Sequence, residues 1–131
     1  MIEDYLQSLL RAAAVSPIVS ASNISLDKRT PRSGLIRGDL FFTDGSRLYF
    51  RELVEVQDSI VRLMYSYHYQ DGLDRLIFRY DDTPHHPELD DFPHHKHIAG
   101  EARVEGSNPP NLASVLSEIE LIYPLNSDTT S

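Results

Sequence analysis

Residues 60–80 read IVRLMYSYHYQDGLDRLIFRY, and the alternation inside this stretch decides the fold. Side chains on a strand point to opposite faces in turn, so Leu63, Tyr65, Tyr67 and Tyr69 fall on one face and Arg62, Ser66 and His68 on the other. Asp71-Gly72 interrupts the pattern with a dipeptide that favours a tight hairpin, because glycine adopts positive φ at little cost. A loop of two or of four residues then carries Leu76, Phe78 and Tyr80 onto the aromatic face, and Arg75 and Arg79 onto the polar one. The aromatic face is the predicted core. The polar face gathers His68 with Arg62, Arg75 and Arg79.

Working outward, strand-like runs cover residues 18–26, 35–42, 47–56, 60–69 and 76–81, and Asp44-Gly45 marks a second hairpin. Ile2, Tyr5, Leu6, Leu9, Leu10 and Ala13 recur at helical spacing and stop before Pro17. Leu112, Val115, Leu116 and Ile119 form a second helical stripe, with Asn108 as its cap, Pro109 as its first residue and Pro124 as its end. Between them, residues 82–106 are rich in Pro, His and Asp and read as a loop with a short strand near 95–99. The predicted fold is α+β: an N-terminal helix, an antiparallel meander of four to six strands, and a C-terminal helix. Residues 1–125 form one domain in this reading, and 126–131 a frayed tail.

The chain has 131 residues, enough for one domain with a real core and too few for two. It has no cysteine, so its chemistry must use oxygen and nitrogen groups rather than thiolates or cysteine-bound metals. Glu3 and Asp4 stand where a signal peptide needs positive charge, and no apolar run approaches the roughly 20 residues of a membrane span. A soluble, cytoplasmic protein without membrane contact is expected. A net charge of -8 speaks against non-specific nucleic-acid binding, which relies on Lys and Arg at phosphates. The excess is uneven, however: residues 1–70 carry eight Lys or Arg against eight Asp or Glu, and residues 71–131 carry four against twelve. An acidic second half repels nucleic acid, or forms the face that a basic partner covers.

The polar face of the hairpin has two readings. Arginines beside a histidine suit a phosphodiester, guanidinium forks gripping its oxygens while an imidazole moves a proton. One side of an antiparallel sheet is also polar simply because it faces water. Alternate tyrosines are likewise ordinary core residues before they are a base-stacking platform. Five of the six histidines, His85, His86, His94, His95 and His97, fall in one short stretch with Glu88, Asp90 and Asp91. Three chemistries account for such a cluster. Imidazoles and carboxylates hold a divalent ion, with His95 and His97 pointing the same way on a strand, although no complete set of ligand spacings is matched. Histidines titrating near neutrality serve as base and acid in metal-independent phosphodiester cleavage, one taking the 2′-hydroxyl proton and another protonating the leaving oxygen. Alternatively they satisfy backbone carbonyls in an exposed loop stiffened by Pro84, Pro87 and Pro93.

The wording of this region is more specific than its composition. HYQDG at 68–72, IFRYDDTPHHPEL at 77–89 and FPHHKH at 92–97 resemble the signature of the TumE family of toxins. The resemblance is close over 67–97, extends loosely into 109–119 and says little before residue 35. It implies a growth-inhibiting toxin of a type II toxin-antitoxin pair, partnered by a helix-turn-helix antitoxin and directed at nucleic acid. It marks Arg79, Tyr80, Asp81, His85, His86, His94, His95, Lys96 and His97 as signature positions without giving them roles. The order of elements is also loosely similar to that of RelE-type ribonuclease toxins, a fold-level analogy.

The expected function is metal-independent ribonuclease activity with no cofactor and no metal ligand. Arg79, Asp81, His86, His94, His95 and His97 are the catalytic candidates, led by His94 or His95 as proton carrier and Arg79 on the scissile phosphate. Arg62, His68, Arg75 and Arg79 are the candidate nucleic-acid contacts. Besides the antitoxin, RNA and a second copy of the chain are the partners considered. The alternatives are a non-catalytic binding module whose histidine loop is structural, and a metal-dependent enzyme of unknown substrate.

Overall fold

The structure, a computed structural model, describes residues 1–82, 94–98, 103–106 and 109–127. Helix α1 (Ile2–Val15) buries Ile2, Leu9 and Ala13. It stops at Ser16, whose φ of -71° and ψ of 126° are the extended geometry that a following proline imposes. Seven strands follow, β1 (Val19–Thr30), β2 (Ser33–Phe42), β3 (Arg47–Val56), β4 (Ile60–Gln70), β5 (Leu76–Asp81), β6 (His95–Ile98) and β7 (Arg103–Gly106), and helix α2 (Leu112–Ser127) comes last. Every strand pairs antiparallel with its neighbour in sequence, so the sheet is one uninterrupted meander. The fold is α+β, as the residue pattern implies, and β7 is the strand beyond the four to six expected.

Both helices cover one face of this sheet. Ile2, Leu9 and Ala13 of α1 and Leu112, Val115, Leu116 and Ile119 of α2 pack in a single cluster with the inward side chains of β2 to β5. Tyr65, Tyr67, Tyr69 and Phe78 belong to that cluster, so the aromatic stripe of the central hairpin is core. A buried phenol needs a partner for its hydroxyl. Tyr69 donates to Ser46 Oγ at 2.9 Å, Tyr65 Oη shares a 3.0 Å hydrogen bond with His94 Nδ1, and Tyr67 donates to the fully buried carboxylate of Glu52. Phe50 stacks on Tyr67 with ring centroids 5.7 Å apart, and its ring lies where a Cβ at Gly38, its cross-strand partner, would stand 2.2 Å away. Only glycine fits there.

Besides two register shifts in the β1–β2 pairing, one on each side of β4 breaks the simple alternation. In the β3–β4 pairing the register jumps from Leu53 opposite Met64 to Val54 opposite Arg62, which leaves Leu63 as an extra residue. Leu63 is therefore turned outward and 54% exposed rather than in the core, and Arg62 swings to the helix side, its guanidinium 4.8 Å from the Tyr65 ring. In the β4–β5 pairing the register shifts between Tyr69 and Gln70, so Leu76 lies opposite Gln70 instead of joining Phe78 and Tyr80. The two hairpin turns also differ. Gly45 carries the positive φ of the first, at 86°, whereas in the second Asp74 does so at 63°.

Helix α2 begins at Leu112, three residues later than Pro109. Pro110 follows Pro109, and a residue before proline is pushed out of the helical region, so 109 is a poor helix start. Asn111 caps instead: its Oδ1 accepts from Ser114 N at 2.8 Å while Ser114 Oγ accepts from Asn111 N at 3.0 Å. The proposed cap Asn108 lies outside the described residues. Pro124 does not end the helix, which runs on to Ser127; the ring removes one bond to the carbonyl four residues back without stopping the turn.

Candidate functional site

The sheet face away from the helices is polar, and no described helix covers it. Register alone lines up Asp39, Tyr49, His68, Arg79 and His97 as successive cross-strand partners from β2 to β6. The adjacent row is Arg37, Arg51, Ser66, Asp81 and His95. Neighbouring strands lie about 4.8 Å apart, so His68 and His97 flank Arg79 with roughly 10 Å between their backbones.

Arg79 is half-buried and held from two sides. Its Nε donates to Asp81 Oδ2 at 3.0 Å, and its Nη1 stands 3.4 Å from His68 Nδ1. Arginine has no acceptor, so Nδ1 receives that hydrogen bond with its lone pair and the His68 ring proton resides on Nε2. Burial holds the His68 pKa below its ordinary 6.5, and the Arg79 guanidinium pushes the same way; the Gln70 side chain opposes them, and Arg47 adds a smaller downward push. Burial and the Arg79 guanidinium both favour the neutral imidazole. On the far side of Arg79, His97 Nε2 lies 3.6 Å from Asp81 Oδ2, so one buried carboxylate faces both the guanidinium and the second imidazole.

Arg47, Tyr49, His68, Gln70 and Arg79 line a depression of about 290 Å3 on this face. Arg47 is fixed at its rim, donating from Nε to Asp39 Oδ1 at 2.9 Å and lying 5.4 Å from the centre of the Phe41 ring. A cation between two imidazoles, one of them favoured in its neutral form, is an arrangement that holds an anion while one ring takes a proton and the other gives one.

The structure brings together four of the residues singled out from sequence: His68, Arg79, Asp81 and His97. His95 joins them by register, opposite Asp81. The others go elsewhere. His94 lies on the helix side, stacked on Tyr65 with ring centroids 5.7 Å apart and an interplanar angle of 14°. Arg62 sits on the helix side as well, 3.8 Å from Glu52 and 3.3 Å from the Tyr67 hydroxyl. Arg75 lies in the turn before β5, 72% exposed, and forks back onto Asp71 at 2.9 Å. Lys96 also points to the helix side, donating to Glu118 at 2.7 Å beside the Tyr80 hydroxyl, which reaches the same carboxylate at 2.6 Å. His85 and His86 lie outside the described residues.

The residue pattern alone did not single out Arg47, Tyr49 and Gln70 on the open face, nor the buried Glu52. Strand β3 alternates regularly, which puts Arg47 and Tyr49 on one face together, but their place beside His68 comes from the β3–β4 register, which the bulge at Leu63 shifts. Glu52 carried no such signal. It accepts from both Tyr5 and Tyr67 hydroxyls, and burial, with the charge of Glu52 next, raises both phenols above their ordinary pKa.

Among the described residues, no group of three or more His, Cys, Asp or Glu is placed to hold a metal ion. No described helix is long and apolar enough to cross a membrane. What remains is a small helix-backed antiparallel sheet whose open face presents arginines and imidazoles in register. Residues 6–122 match the family model described as Toxin TumE, and the chain belongs to that family of toxins. A toxin of this kind implies an antitoxin partner. No curated protein and no solved structure matches the chain.

Proposed function

We propose that this toxin arrests growth by cleaving RNA on the open face of its sheet, without a metal ion. The observation that carries the proposal is the placement of His68, Arg79 and His97 side by side on three successive strands. His68 takes the proton of the ribose 2′-hydroxyl, whose oxygen attacks the adjacent phosphorus. The bond from phosphorus to the 5′-oxygen breaks, and His97 delivers a proton to that oxygen. The products are a 2′,3′-cyclic phosphate and a 5′-hydroxyl. Arg79 holds the phosphoryl oxygens and Asp81 orients it. A phosphate that draws Arg79 away also frees the His68 lone pair that the guanidinium otherwise occupies, which couples substrate arrival to base activation.

The acidic net charge is offset locally, because Arg37, Arg47, Arg51 and Arg79 share the open face and outnumber Asp39 and Asp81 in the same rows. The antitoxin, in this reading a helix-turn-helix protein, neutralises the toxin in the cytoplasm. Expression of the chain alone, and together with that antitoxin, tests the proposal when growth and RNA integrity are followed in the same culture. Arrest with fragmented RNA, relieved by the antitoxin, is the expected result; arrest with intact RNA removes cleavage and leaves a toxin that acts by binding.

A further inference from the structure

One feature of the open face works against the stability of the folded chain. Arg37 on β2 and Arg51 on β3 are direct cross-strand partners, and like charges directly opposite one another on a sheet are destabilising. The neighbouring arginines of the same face are each neutralised, Arg47 by Asp39 and Arg79 by Asp81. Among the described residues, neither Arg37 nor Arg51 has a carboxylate partner, and Arg51 Nε is buried without a hydrogen-bond partner. A buried donor left unmade costs free energy that a sheet position does not require.

We infer that the Arg37–Arg51 pair is a second phosphate subsite, which grips a backbone phosphate flanking the one at Arg79 and makes single-stranded RNA the substrate class. This rests on the ribonuclease reading for its choice of ligand. The geometry supplies the rest. Arg51 lies one side-chain row along the sheet from the His68–Arg79 row and two strands across from Arg79, roughly 12 Å between backbones from ordinary strand spacings. The reach of two long side chains shortens that gap to the scale of neighbouring nucleotides. A phosphate between the paired guanidiniums offsets their repulsion and supplies the acceptor that Arg51 Nε lacks. An extended strand crossing the sheet meets both subsites on one continuous face, with the Tyr49 ring between them available for a base to stack on. An acidic protein segment has carboxylates to offer the same pair, but nothing places such a segment against the His68–Arg79 row.

The test uses the full chain carrying His97→Ala, so that RNA survives the assay, and compares it with the same chain carrying Arg37→Gln and Arg51→Gln. Binding of a short fluorescent single-stranded RNA is followed by anisotropy across a salt series. Each phosphate neutralised on a single strand contributes about 0.7 to the slope of log affinity against log salt, so losing the one phosphate held by the pair should flatten the slope by about 0.7. Its melting temperature should hold or rise, since the change removes a like-charge pair. Arg37→Gln alone, at an exposed position, should weaken binding and flatten the slope by no more than about 0.7, and serves where the double variant folds poorly. A folded variant with unchanged slope and affinity overturns the subsite. So does one that keeps its RNA slope while losing the antitoxin, which would assign the pair to the protein partner. Because binding alone is read, a wild-type chain that fails to cut RNA counts against the ribonuclease reading and leaves this result standing.

Discussion

Arg79 sets the tautomer of His68. Its Nη1 stands 3.4 Å from His68 Nδ1, and because a guanidinium only donates, the imidazole must meet it with a lone pair. The same contact adds to burial in holding the His68 pKa below 6.5.

Replacing Arg79 with Gln should therefore raise the His68 pKa, read by following its ring protons across pH. The sign of the linked stability is also fixed. A histidine with a depressed folded pKa binds fewer protons than the unfolded chain does, so its contribution is complete above about pH 6.5 and is lost as pH falls below that toward the folded value. Arg79→Gln should shrink this pH dependence in urea midpoints taken above and below about pH 6.5. An unmoved His68 titration would mean that the guanidinium does not act on the ring.

His94 should behave as a brace. It stacks on Tyr65 and shares a 3.0 Å hydrogen bond with its hydroxyl on the helix side of the sheet. His94→Ala should cost about 1 kcal/mol, a few degrees of melting temperature, while a culture expressing it below that temperature still arrests. Loss of toxicity from a variant that melts like the parent would return His94 to the catalytic set.

Glu52 is the buried charge on which the core depends. Its carboxylate is fully buried, accepts from Tyr5 and Tyr67 and faces Arg62 at 3.8 Å. Glu52→Leu leaves two phenols and a largely buried guanidinium without their acceptor, a loss of about 3 to 5 kcal/mol in urea unfolding. Glu52→Gln keeps an acceptor oxygen and should lose less. Equal losses in the two variants would show that packing volume rather than the polar network decides.

How far the sequence carries can be judged from the central hairpin. Tyr67, His68, Tyr69, Phe78 and Arg79 fall on the faces that strict alternation assigns, because the register across this part of the hairpin is unbroken. Arg62 does not. Its reversal comes from the bulge at Leu63, which is set by how β4 pairs with β3 and has no local marker such as glycine. Arg75 misses the sheet for a related reason: Asp71 accepts from the backbone of Leu73 and Arg75 as well as from the Arg75 side chain, which shapes a wider turn than Asp-Gly implies. The histidine cluster was legible as a cluster but not as a geometry. His97 joins Arg79 and His94 goes to Tyr65 only because β6 pairs with β5, and a four-residue strand after a Pro- and Asp-rich segment gives no register of its own.

The central claim, that the open face cleaves RNA with His68 and His97, is tested most directly by incubating the purified toxin with single-stranded RNA in the presence of a chelator and mapping the product ends. The wild-type chain should yield fragments ending in 2′,3′-cyclic phosphate, and His68→Ala and His97→Ala should each slow cleavage by about 100-fold or more with melting temperatures near the parent's. Intact RNA with the wild-type chain, or cutting by both variants at the parental rate, would contradict the account.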